Sequence, residues 1–179
     1  MADIQLRPTV ATDLSRLMGF DHSIMSEAVW QLELRREPGQ INASFREVRL
    51  PRSISVTYPH DPYALADDWI RKSMMYTAYM GPDPAGYISL LERGTASVVW
   101  ITDLVVHAEK RRQGVASTLL TAAQDWAVSR AHRRLIVELQ SKNLPGIRLV
   151  QKFGYDFSGY NDQYYLTQDV ALFFAKILK

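Results

Sequence analysis

The 179 residues are 47% hydrophobic and 11% aromatic, enough for one ordinary core and too little for two comfortable domains, so a single domain spanning 1–179 is expected. The formal net charge is +2 with acids and bases interleaved along the chain, which leaves no wide basic face for a nucleic-acid backbone. Cysteine is absent, which excludes disulfides, thiolate metal sites and a cysteine nucleophile; His22, His60, His107 and His132 show no metal-ligand spacing, so no metal is expected.

Met1 to Pro8 alternate polar and apolar groups and include Asp3 and Arg7, unlike the apolar core of a signal peptide. Ile4 and Leu6 in that alternation predict a short strand stopped by Pro8. Thr12 is placed to cap a helix with Leu14, Leu17 and Met18 on its apolar side. Two alternating stretches between Val29 and Leu50 flank Pro38-Gly39 and predict a hairpin. Asp61-Pro62 opens a helix to about Lys72, because proline is tolerated in the first turn and an acid complements the dipole there.

Met75 to Met80 and Ala85 to Glu92 read as strands around a Gly81 to Pro84 turn, and Arg93-Gly94 turns the chain again. Ser97 to His107 is the longest β-rich run, which places it at the centre of the sheet. After Gly114 a helix runs to about Ala131, with Val115, Leu119, Ala122 and Trp126 on one face. A strand from Leu135 to Leu139, a helix from Asn143 to Phe153 closed by Gly154, and strands from Tyr155 to Tyr160 and Val170 to Leu178 complete an α/β order. No run approaches the roughly 18 apolar residues of a membrane helix. A cytoplasmic protein with no membrane partner is expected, and the hairpin or the last apolar strand, with Leu172, Phe173 and Phe174, offers a possible homodimer contact.

A helix that starts directly after a strand presents unpaired N–H groups and about half a positive charge, which makes it a natural anion seat. Gly114 permits close backbone approach to a diphosphate, Ala116 leaves the first turn unobstructed, and Lys110, Arg111 and Arg112 add positive charge at the rim. The same residues also fit a solvated basic loop at an ordinary helix start. Neither GxxxxGK[ST] nor GxGxxG is present, which excludes the P-loop and Rossmann readings.

The run from Leu104 to Ala116, ending in Arg111-Arg112-Gln113-Gly114-Val115-Ala116, resembles motif A of the GNAT superfamily of N-acetyltransferases, R/Q-x-x-G-x-G/A after a strand. Asn143 to Tyr155 is similar to the family's motif B, Asn-x-x-Ala-x-x-Leu-Tyr-x-x-x-Gly-Phe, and the segment to Tyr160 also resembles streptothricin acetyltransferases. The resemblance implies the GNAT fold: a mixed, mostly antiparallel central sheet of about six to seven strands with a splayed central pair, flanked by about four helices. It implies acceptor-side elements over 1–73, a cofactor-binding core over 74–160 and a C-terminal strand over 161–179.

Acetyl-CoA would be the cosubstrate, contacted by Leu104, Val105 and Val106 as a strand beside pantetheine, by Arg111, Arg112, Gln113, Gly114, Val115, Ala116 and Ser117 around the diphosphate, and by Asn143 along the arm. The implied reaction is acetyl transfer to a primary amine of a small molecule or peptide by direct attack on the thioester. Glu138, five residues before Asn143, stands where some enzymes that acetylate protein N-termini carry a glutamate, and Asp103, just before Leu104, stands where the family often has an acid. Either is a candidate base. Either is also the kind of strand-end carboxylate that serves as a salt-bridge partner.

Two positions depart from the pattern. Gly146 replaces the usual alanine, and Val150 replaces the tyrosine that protonates the departing thiolate in many members. Tyr155, Tyr160, Tyr164, Tyr165, Ser141 and water are the substitute acids, and a catalytically weak acyl-CoA sensor or scaffold is the alternative function. A longer acyl chain than acetyl also stays open.

Overall fold

The computed structural model describes residues 3–93 and 97–179, so Gly94 of the expected Arg93-Gly94 turn lies outside the described residues. The first strand, β1 (Gln5–Pro8), pairs antiparallel with β4 (Met74–Met80) from Gln5↔Tyr79 to Pro8↔Tyr76. Pro8 closes this edge strand from inside it; at a strand end the missing N–H costs little. Helix α1 (Ala11–Met18) starts two residues earlier than a Thr12 cap predicts. Val10 is its N-cap, and the Asp13 carboxylate, not the Thr12 hydroxyl, accepts the Val10 N–H at 3.1 Å. A carboxylate three residues into the helix reaches back over the cap, which places Thr12 inside the first turn.

The hairpin is present and longer than expected: β2 (Ile24–Glu37) pairs antiparallel with β3 (Gln40–Val56) as a separate two-stranded sheet. Pro51 ought to end β3. The partner of Ser26 is Ile54 and that of Ala28 is Arg49, so residues 50–53 bulge out around the proline and pairing resumes beyond it. The helix expected from Asp61 to Lys72 is three short turns, 3₁₀ at Pro62–Ala64, α2 (Leu65–Asp68) and 3₁₀ at Trp69–Arg71. Leu65 is the buried residue of this stretch, too little packing to hold one continuous α-helix.

The remaining elements follow the expected order: β5 (Asp83–Glu92), β6 (Val98–Val106), α3 (Val115–Ser129), β7 (Arg134–Gln140), α4 (Leu144–Lys152), β8 (Asp156–Asn161) and β9 (Ala171–Ile177). Seven strands form one sheet in the order β1-β4-β5-β6-β7-β9-β8, with β6 in the middle. Because β9 lies between β7 and β8, its backbone is not an open edge, and the Leu172–Phe174 strand does not offer the edge pairing considered from sequence. No helix among the described residues is long and apolar enough to cross a membrane.

The chain divides into two compact units, one of Met1–His22, His60–Glu138 and Ala175–Lys179, the other of Ser23–Pro59 and Leu139–Phe174. In the first, Val99, Ile101 and Val105 of β6 and Ile88 and Leu90 of β5 are buried, and α3 packs on both strands with Leu119, Leu120, Ala123 and Ala127 turned inward. In the second, Phe45 of β3 meets the rings of Phe157 and Tyr160 at 5.3 and 5.1 Å between centroids.

Candidate active site

The parallel pairs between β6 and β7 run from Val98↔Arg134 to Ile101↔Val137 and stop, although β6 continues to Val106. Opposite β5 the register slips at the same level: Leu90 faces Ile101 and Ser89 faces Asp103, leaving Thr102 as an inserted residue. A bulge bends a strand, and here it coincides with the end of the β6–β7 pairing. The splayed pair expected at the centre of the sheet is therefore seen in the register itself. It leaves Leu104 and Val106 half-buried and Val105 buried on the far stretch of β6.

From Val106 the chain passes through a 3₁₀ turn, Ala108–Lys110, into the loop before α3. His107 caps that turn, its Nδ1 accepting the Glu109 N–H at 3.3 Å, and packs edge-on against Phe20 at 4.9 Å. Arg112 has φ +62° and Gly114 φ +92°. A left-handed arginine is strained, and such strain persists where surrounding structure over-determines it. Gly114 is the N-cap of α3 and carries no side-chain cap hydrogen bond; its carbonyl starts the helix by accepting the Thr118 N–H at 2.9 Å. The amides ahead of Thr118 are therefore first-turn groups with no intrahelical acceptor, at the positive end of a fifteen-residue helix.

The loop's two arginines do different work. Arg111 reaches back into the protein, donating from Nε to the Val106 carbonyl at 3.1 Å and from Nη2 to the Asp21 carbonyl at 3.0 Å. Arg112 is exposed, as are Gln113 and Gly114, and Gln113 Nε2 donates to the Glu109 carbonyl at 2.9 Å. Val115 is buried, while Ala116 and Ser117 are half-buried.

Asp103 and Glu138 converge on one side chain. Asp103 is 8% exposed, and its Oδ2 accepts from Ser89 Oγ, from Thr102 Oγ1 at 2.9 Å and from Lys72 Nζ at 3.2 Å. Its Oδ1 lies 4.0 Å from His60 Nδ1. The other ring nitrogen, Nε2, lies 3.9 Å from Glu138 Oε1. An imidazole thus stands between the two carboxylates that were candidate bases.

His22, unlike His60, is buried in this unit. Burial lowers its pKa, against the opposing pull of its bond to Phe20 and of Asp103 and Asp21. Its Nδ1 donates to the Phe20 carbonyl at 2.8 Å, which leaves Nε2 to accept from the Tyr87 hydroxyl at 3.1 Å in the neutral ring.

In the second unit, Asn143 is the N-cap of α4, its Oδ1 accepting the Gly146 N–H at 2.9 Å. A Cβ on Gly146 would lie 2.7 Å from that Oδ1 and 2.9 Å from Cγ and Nδ2, so the glycine in place of alanine is what lets the asparagine fold over its helix. Val150 is 1% exposed within α4.

Residues 41–155 match the model of the acetyltransferase (GNAT) family. The chain belongs to that family. It is 32% identical over 108 residues to a streptothricin acetyltransferase of Escherichia coli, a match covering 60% of this chain and 60% of that relative. Its fold matches a nourseothricin acetyltransferase with a TM-score of 0.82 at 22% identity over 100% of both chains. A Bacillus anthracis str. Ames protein assigned to the streptothricin acetyltransferases, solved with acetyl coenzyme A, matches with a TM-score of 0.74 at 20% identity over 98% of this chain and 99% of that one. The mostly antiparallel seven-stranded sheet with its helices is thus the GNAT fold.

Within this GNAT domain, sequence reasoning singled out Asp103 and Glu138 and passed over His60, Lys72, Ser89 and Thr102. His60 was weighed for metal spacing alone. Nothing local marks it: it belongs to neither motif and becomes notable only when folding brings it to two acids distant in the chain.

Proposed function

We propose that this chain, as one acyltransferase domain, transfers an acetyl group from acetyl-CoA to a primary amine of a small molecule or peptide by direct attack on the thioester. The uncapped start of α3 carries this reading: its free amides and the exposed Arg112 beside them suit a diphosphate. Gln113 to Ser117 supply backbone to that seat. Arg111 acts through the loop, since its guanidinium is bonded to backbone carbonyls. Leu104, Val105 and Val106 supply the strand for pantetheine past the point where β7 leaves β6. Asn143 uses Oδ1 as a cap, which leaves Nδ2 as the donor for a pantetheine carbonyl. Calorimetry with acetyl-CoA tests the seat, and wild-type protein with no measurable affinity would overturn the reading.

An amine attacks only when unprotonated. A lysine-like amine of pKa about 10.4 costs about 4 to 5 kcal/mol to deprotonate at pH 7, an α-amine near 8 about 1 to 2 kcal/mol. Glu138 is the better base of the two carboxylates. Asp103 Oδ2 is already occupied by Ser89, Thr102 and Lys72, whereas the described ion-pair neighbour of Glu138 is His60 alone. The leaving group needs less help: a thiol has a pKa of about 8.5, so expelling it as thiolate near pH 7 costs about 2 kcal/mol. Val150 in place of a tyrosine acid is compatible with turnover on that ground.

Val150 also favours a second reading, a weakly catalytic acyl-CoA sensor. Thiol release from acetyl-CoA in the presence of streptothricin, spermidine and an alanine-ended peptide separates the two. Binding without release from any of them favours the sensor.

A further inference from the structure

Resting on the acetyltransferase reading, we infer that His60 is a proton-relay residue of the transfer, taking from Glu138 the proton that Glu138 removes from the acceptor ammonium. Three observations carry it. The ring lies between the two carboxylates, with Nδ1 4.0 Å from Asp103 Oδ1 and Nε2 3.9 Å from Glu138 Oε1. Asp103 is fixed from behind by Ser89 Oγ, Thr102 Oγ1 and the Lys72 ammonium, so it is an anchor with one oxygen turned to the ring. The His60 side chain is 41% exposed while Glu138 is 11% exposed, so the ring connects a largely enclosed carboxylate with solvent.

The chemistry explains why a relay helps. A carboxylic acid with an ordinary pKa near 4.3 holds a proton about 100-fold less firmly than an imidazole near 6.5, so glutamate alone is a poor resting place for a proton taken from an amine. With the neutral ring hydrogen on Nδ1 facing Asp103, Nε2 has its lone pair toward Glu138. The proton leaves the ammonium nitrogen for Glu138 Oε1 and passes to His60 Nε2, regenerating the carboxylate. The amine lone pair then forms the bond to the thioester carbon as the carbon–sulfur bond breaks. The second amine proton ends on the departing thiolate, and the imidazolium returns its proton to solvent, so one proton is released per turnover. Charged groups facing the ring include the Asp103 and Glu138 carboxylates, with the Lys72 ammonium behind Asp103.

The test is the pH profile of kcat/KM for acetyl transfer, read as thiol release with streptothricin, spermidine or lysine, in wild type, His60→Gln and His60→Ala. For His60→Gln we expect kcat to fall about 10- to 100-fold at pH 7 with little change in KM, the limb of the profile in the imidazole range to disappear, and acetyl-CoA affinity to stay within twofold. Added imidazole should restore His60→Ala and leave Glu138→Ala unrescued. A His60→Gln enzyme within threefold of wild type, with the same profile and no imidazole rescue of the alanine variant, overturns the relay and leaves the acetyltransferase reading standing. Wild-type protein that releases no thiol with any of the three amines overturns both.

Discussion

Helices α3 and α4, which follow β6 and β7, begin in opposite ways. At α3, Gly114 adopts φ +92° with no side-chain cap hydrogen bond, and the exposed Arg112 stands nearby in the loop. At α4, Asn143 closes the turn onto the Gly146 N–H, with proline in the first turn. The same backbone problem, four orphan amides, is answered by the protein's own side chain at one helix and left to the outside at the other. A cap completes a helix start from within; its absence, beside a left-handed arginine, is what the proposed anion seat rests on.

The largest effect that sets the two starts apart is expected from Gly114→Val. A β-branched side chain at φ +92° costs about 1 to 3 kcal/mol, and acetyl-CoA affinity by calorimetry should drop about 10- to 100-fold as the loop moves. Unchanged affinity would mean that the α3 start is not the anion seat. Asn143 comes next. Asn143→Ala should lower stability to urea by about 1 kcal/mol, whereas Asn143→Asp keeps the cap and the stability. Both should weaken acetyl-CoA about 2- to 10-fold through loss of the amide donor. If Asn143→Asp binds like wild type, capping is the only task of that side chain.

Acid offers a third contrast, because Asn143 does not titrate, while Arg111 of the α3 loop holds the Asp21 carbonyl beside His22. Burial lowers the His22 pKa, so below about 6.5 the unfolded chain takes up a proton that the folded chain resists. Stability should be flat above that pH and fall as the pH drops from 6.5 toward the folded value. Urea midpoints at pH 7.5 and 5.0 should differ more for wild type than for His22→Asn; equal differences would dismiss the idea. The smallest effect is expected from Gly146→Ala. The gain in helix propensity, up to about 1 kcal/mol, opposes displacement of the Asn143 cap, so the net change should stay within about 0.5 kcal/mol. In the Asn143→Ala background the same change should stabilise, and a destabilised double variant would show that the crowding lies elsewhere.

Much of this was written locally. The elements from Met74 to Ile177 fall close to where alternation, helical spacing and turn residues put them, because each is specified by neighbours within a few positions. The misses have the same root. The hairpin was read only to Leu50, whereas a bulge opposite Ser26 and Ala28 carries its second strand past Pro51, and Thr12 looks like a cap until Asp13 reaches Val10. The stretch after Asp61 has a good helix start, but it buries Leu65 and little else, so its turns stay short.

The proposed anion seat rests on residues legible alone, since a glycine and an arginine run between a strand and a helix form a local chemical statement. The family was legible too, through two motifs in order. The Asp103–His60–Glu138 arrangement was not, because it depends on which carboxylates a bulged strand and its parallel neighbour bring within 4.0 Å of a ring in the bend before Pro62. Backbone periodicity carries no information about such distances. They are set by register and packing, which arise only when the whole sheet has closed around its core.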